Sequence, residues 1–79
     1  MITLRKKKVF TSDISPTTVK IKTQFIIEMK DERGQFQPFT ESGTDLYHDT
    51  AEARNTALDN AVKRFEDHGC KVRVVKSGQ

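Results

Sequence analysis

Cys70 is the only cysteine in this 79-residue chain, so no internal disulfide can form and the framework of a small secreted fold is excluded. The expected compartment is the reducing cytoplasm. Long hydrophobic runs are also missing. Met1 to Lys8 is basic like the first region of a signal peptide, but Val9, Phe10, Thr11, Ser12 and Asp13 supply no apolar run of about 7 to 15 residues behind it. Nothing approaches the roughly 18 apolar residues of a membrane span. Glycine is sparse: Gly34, Gly43, Gly69 and Gly78 stand alone, which excludes a phosphate-cradling glycine-rich loop and the nucleotide chemistry that goes with it. Repeated Cys or His pairs are absent as well. His68 and Cys70, with Asp67 beside them and His48 elsewhere, fall short of the four spaced ligands a zinc site needs, so no metal and no cofactor is expected.

What the chain does have is charge, unevenly laid out. Residues 1 to 30 carry seven Lys/Arg and two acids, residues 31 to 60 two and seven, and residues 61 to 79 five and two. The net charge of +3 therefore conceals two basic stretches flanking an acidic one, an order that lets a folded chain present separate basic and acidic surfaces. The length allows one domain over residues 1 to 79, burying about 60 to 65% of its unfolded surface, so stability is modest. Apolar residues are 34% and charged residues 32%, yet the apolar ones recur periodically, which marks a folded chain and not a disordered one.

The clearest period runs from Thr18 to Lys30. Val19, Ile21, Thr23, Phe25, Ile27 and Met29 alternate with Lys20, Lys22, Gln24, Ile26, Glu28 and Lys30, as in a strand with one face buried. Asp31-Glu32-Arg33-Gly34 supplies a turn, and Gln35 to Thr40 resumes the extended pattern, completing a hairpin. Pro38 cannot donate to a sheet ladder, so this arm is an edge strand or is bulged there. After Glu41-Ser42-Gly43, Thr44 to His48 is a candidate third strand. Asp49-Thr50-Ala51-Glu52 then reads as a helix start, with Asp49 as N-cap and Thr50 as the competing choice. Ala57, Leu58, Ala61, Val62 and Phe65 form one helical face up to His68, Gly69 stops the helix, and Cys70 to Val75 alternates as a final strand. At the front, Ile2 and Leu4 share a parity that Val9 lacks, so a strand over residues 2 to 10 calls for a bulge near Arg5 to Lys8. Ser15-Pro16 marks the connection to the next strand.

The expected fold is thus α+β: one antiparallel sheet of 4 to 5 strands (order β-β-β-(β)-α-β) with a single helix on one face. Lys20, Lys22, Lys71, Arg73 and part of Arg5, Lys6, Lys7 and Lys8 then share the uncovered face. The acids Asp31, Glu32, Glu41, Asp45, Asp49 and Glu52 fall in turns and at the helix start, where solvation and the helix dipole account for them.

From Phe25 to Phe65, and above all in Ala51-Glu52-Ala53-Arg54-Asn55-Thr56-Ala57 with Ala61-Val62, the chain resembles the three-strand-plus-helix half of double-stranded RNA-binding domains. It is equally similar to HicB-like antitoxin modules. The resemblance covers about half the chain and implies the fold. It carries over no binding residues, because the lysine cluster that such RNA-binding domains place at the start of this helix is matched here by Asp49, Thr50, Ala51 and Glu52, leaving only Arg54.

No catalytic constellation emerges. Cys70 has His68 and Lys71 nearby but opens a strand in a chain too short for a cleft, and reads as a small buried residue beside a helix-end histidine. The carboxylates Asp31-Glu32 and Glu66-Asp67 have no apolar setting that would raise a pKa. The phenylalanines Phe10, Phe25, Phe36, Phe39 and Phe65 mostly take core positions, which argues against a base-stacking sheet. The sequence therefore points to a small non-enzymatic regulatory or inhibitory module, of the kind found as phage or mobile-element accessory proteins, acting as a monomer or homodimer. It would dock on a protein or nucleoprotein partner with an acidic surface through Arg5, Lys6, Lys7, Lys8, Lys20, Lys22, Lys71 and Arg73. Sequence-tolerant binding of duplex nucleic acid through the same residues is the alternative.

Overall fold

The computed structural model describes residues 1–41 and 44–76. Its elements run β1 (Ile2–Ile14), β2 (Val19–Lys30), β3 (Phe36–Phe39), α1 (Ala51–Asp67) and β4 (Val72–Val75). The four strands form one sheet in the order β3-β2-β1-β4, backed by the helix, and the α+β class is as the sequence implied.

Two long strands dominate. β1 and β2 pair antiparallel from Leu4↔Met29 to Ile14↔Val19 in an unbroken register, so the bulge expected near Arg5 to Lys8 is absent. Lysines replace the apolar row along β1 while the backbone ladder continues regardless, which is why side-chain parity misled there. The hairpin closes at Ser15–Thr18, where Ser15 N–H donates to the Thr18 carbonyl at 2.8 Å and Thr18 N–H donates to Ser15 Oγ at 3.1 Å.

At the other end of β2, Asp31 organises the turn into β3. Its Oδ1 accepts from the N–H groups of Arg33 and Gln35, both at 2.9 Å, and Gly34 takes φ 82°, a backbone angle that favours glycine. β3 is an edge strand, and Pro38 sits opposite Glu28 in regular pairing. The alternative of a bulge at Pro38 does not occur.

The expected strand at Thr44–His48 contracts to one bridge between His48 and Phe25. Ser42 and Gly43, part of the turn assigned before it, lie outside the described residues. Thr50, not Asp49, is the N-cap: its side chain accepts from Ala53 N–H at 3.1 Å. The helix ends in a Schellman arrangement. Gly69 has φ 83°, Cys70 N–H donates to the Phe65 carbonyl, and Gly69 N–H donates to that of Glu66, each at 2.9 Å.

The sheet is mixed, a correction to the all-antiparallel expectation. β3 runs in the same sense as β1, the helix carries the chain back, and β4 therefore lies parallel to β1, with Ile2↔Val72 through Arg5↔Val75 in register. A helical return is what parallel pairing requires. Between helix and sheet lies the core of Leu4, Ile27 and Leu58, joined by Ile2, Met29, Phe39, Ala57, Val62, Phe65 and Val72. Phe39 and Phe65 meet with ring centroids 5.7 Å apart. Cross-strand partners share a face, so the even positions of β1 and the odd positions of β2 lie on the helix side.

The core occupies only one end of the long hairpin. The molecule measures 52 × 25 × 20 Å, and its long dimension accommodates strands of 13 and 12 residues. Among the described residues no helix is long and apolar enough to cross a membrane.

Candidate interaction surface

Strand parity sorts the basic residues onto two faces. Arg5 and Lys7 of β1 join Lys20 and Lys22 of β2 and Arg73 of β4 on the face away from the helix. Lys6 and Lys8 project to the helix side. Lys71 precedes β4, exposed, and its carbonyl accepts from Ile2 N–H at 2.8 Å. The first basic run is thus split by the two-residue period of its own strand, and the eight cations do not form one surface.

Two of the open-face cations are already engaged. Arg5 Nε donates to Glu28 Oε1 at 2.7 Å, and its guanidinium lies 3.9 Å from the centre of the Phe36 ring, a stacked cation–π contact. Glu28 is a buried carboxylate on a face expected to be open. Ile26, on the same row, is only 4% exposed. Lys22 Nζ meets Asp49 Oδ1 at 3.0 Å, with both side chains largely exposed, and Gln24 reaches the same oxygen at 3.4 Å. These contacts hold the Asp49 carboxyl below its ordinary pKa of 3.8, the Lys22 hydrogen bond being the largest cause. Lys7 and Arg73 take part in no ion pair among the described residues, and Lys20 lies opposite Asp13 across the hairpin.

Lys6 and Lys8 line a groove of about 620 Å³ on the helix side, together with Arg54, Phe25, Lys76 and the end of β4. The groove opens where β4 stops opposite Arg5 and the edge of β1 continues alone. No carboxylate among the described residues lines it. Arg54 is 8% exposed, donates to the Lys7 carbonyl at 3.4 Å and to Asn55 Oδ1 at 2.9 Å, and sits 5.3 Å from the Phe25 ring centre. Burial pulls its pKa below the usual guanidinium range. A buried guanidinium with neutral partners, flanked by three lysines, is a setting that favours anions.

Sequence reasoning passed over Arg54 as a leftover of the helix start. Its spacing to Leu58, Ala61 and Phe65 places it on the apolar stripe, and that spacing was the signal. Cys70, expected to be buried, is exposed, because the Schellman turn lifts it away from the sheet and β4 begins only at Val72. Phe10 is also exposed, at 68%. Among the described residues no group of three His, Cys, Asp or Glu side chains gathers as metal ligands would.

No family model, curated protein or solved structure matches this chain. Its functional reading therefore rests on the geometry of these surfaces.

Proposed function

We propose that this protein is a small non-enzymatic binding module of regulatory or inhibitory type, acting in the cytoplasm, that docks on an acidic protein or nucleoprotein surface through its sheet. The supporting observation is the charge of the face away from the helix. Lys7 and Arg73 lie on adjacent strands and take part in no ion pair among the described residues, Lys20 adds charge on β2 opposite Asp13, and Arg5 and Lys22 add charge partly offset by Glu28 and Asp49. Charge arranged in this way steers encounter and fixes orientation. A phage or mobile-element accessory protein fits that role.

A second reading, direct binding of nucleic acid, draws on a different observation: the groove of Lys6, Lys8, Arg54 and Lys76, with no carboxylate among its described lining residues, offers phosphates a concentrated positive site. Titration with duplex RNA, duplex DNA and single strands across a salt series separates the two. Docking on protein predicts weak nucleic-acid binding that is indifferent to Arg54. Micromolar or tighter binding that falls steeply with salt and is lost in Arg54→Ala establishes the second reading instead.

A further inference from the structure

Past Lys8 and Phe25 no further strand or helix among the described residues packs on the β1–β2 hairpin, and only Asp49 reaches it, through Lys22 and Gln24 on the face opposite the helix. β4 pairs with β1 only as far as Arg5, and β3 pairs with β2 only from Ile27 onward. The helix begins at Ala51, and Arg54 in its first turn reaches back only to Lys7. The last six pairs, Val9↔Gln24 to Ile14↔Val19, thus make a two-stranded arm about 20 Å long.

One face of this arm is uncharged and mostly apolar. Phe10, Ser12 and Ile14 share it with Val19, Ile21 and Thr23, on the side that the helix covers nearer the core. None of the six is charged. Phe10, Ile14, Val19 and Ile21 are 68%, 74%, 65% and 71% exposed. Lys20 and Lys22 lie on the opposite face.

An isolated two-stranded hairpin is at best marginally stable in water, and a contiguous apolar patch of this size marks an interaction site. We infer that the arm packs through this face against the same face of a second copy, forming a two-fold dimer in which two ribbons stack. The area supports this occupant. The four side chains expose roughly 500 Å² per copy, so a symmetric pair removes at most about 1,000 Å² from water, the lower bound for a specific interface. Charge supports it too. Each copy carries a net +3, and two copies meet through the stretch of this face beyond Lys6 and Lys8 that holds none of that charge. A second arm has the same length and twist, so the ribbons align at the shallow angle that stacked sheets adopt. An acidic partner finds nothing to recognise here, whereas the lysines of the outer faces stay available to it.

Sedimentation velocity from about 1 µM to about 200 µM tests the inference, since a dimer of this kind is populated by mass action. The wild-type chain is expected to shift from monomer to dimer across the range. Phe10→Lys with Ile21→Lys sets like charges against each other across the two-fold and weakens association at least tenfold, while Lys20→Glu on the outer face leaves it unchanged. Far-UV circular dichroism reports whether the variants fold. If the double variant does not, Ser12→Cys in a Cys70→Ser background gives an independent answer, because the paired faces bring the introduced thiols together and oxidation yields a covalent dimer. A wild-type monomer at every concentration overturns the inference. So does a dimer indifferent to the lysines, or a monomer whose arm is protected only when single-stranded nucleic acid is added.

Discussion

Arg5 and Glu28 face each other across the two long strands, Nε to Oε1 at 2.7 Å, with the Phe36 ring stacked against the guanidinium 3.9 Å away. The pair ties β1 to β2 and, through Phe36, to the edge strand β3. The Glu28 side chain is 11% exposed and that of Arg5 27%, so the two deletions are unequal. Arg5→Ala leaves a buried carboxylate without its cation and is expected to lower stability by roughly 2 to 3 kcal/mol. Glu28→Ala leaves a more accessible cation still resting on Phe36, and is milder. Urea unfolding of both single variants and the double variant measures this; equal losses that simply add would show that the contact contributes nothing of its own.

Thr50 caps the helix and Asp49 does not. Thr50→Ala removes the acceptor for Ala53 N–H and is expected to lower stability by about 1 kcal/mol. Asp49→Ala disturbs an exposed ion pair with Lys22 and a long hydrogen bond from Gln24 and is expected to change stability much less, an effect that fades with added salt. Thermal unfolding at low and high salt distinguishes the two. The reverse ranking would move the helix start by one residue.

Asp31 predicts the acid limb of stability. The Gln35 backbone N–H, ahead of those of Arg33 and Gly34 and the Gln37 side chain, holds its carboxyl below the ordinary value of 3.8. A group whose pKa is depressed in the folded state contributes its full stabilisation above the unfolded value and loses it as pH falls through the folded one. Asp31→Asn keeps an oxygen acceptor but cannot titrate. The stability difference between wild type and variant is therefore expected to be flat above about pH 5 and to shrink below it. A constant difference down to the lowest pH would mean that the turn does not depend on the carboxylate's charge.

Where side-chain period and backbone ladder coincide, the structure was readable in advance. The alternation from Val19 to Met29, the Asp31–Gly34 turn and the Leu58, Ala61 and Phe65 stripe each became the expected element. β1 was harder, because four consecutive cations hide its period, and its length has to be read from β2, its hairpin partner. That same comparison would have exposed the arm and its bare Phe10. The direction of β4 followed from the helical return and not from any local pattern. Glu28 and Arg54 both sit at positions that periodicity marks, one in the polar row beside Ile26 and one in the apolar stripe above Leu58. Their buried state depends on partners distant in sequence, Arg5 and the Lys7 carbonyl, which no local window contains.

The central claim is that cations on the uncovered face of the sheet recognise an acidic partner. Affinity capture from a lysate of the source organism, comparing wild type with a Lys7→Glu, Lys20→Glu, Arg73→Glu variant in parallel nuclease-treated samples, tests it most directly. The account predicts a partner retained by wild type after nuclease and lost from the charge-reversed variant. Retention by both, or loss from wild type on nuclease treatment, would contradict it.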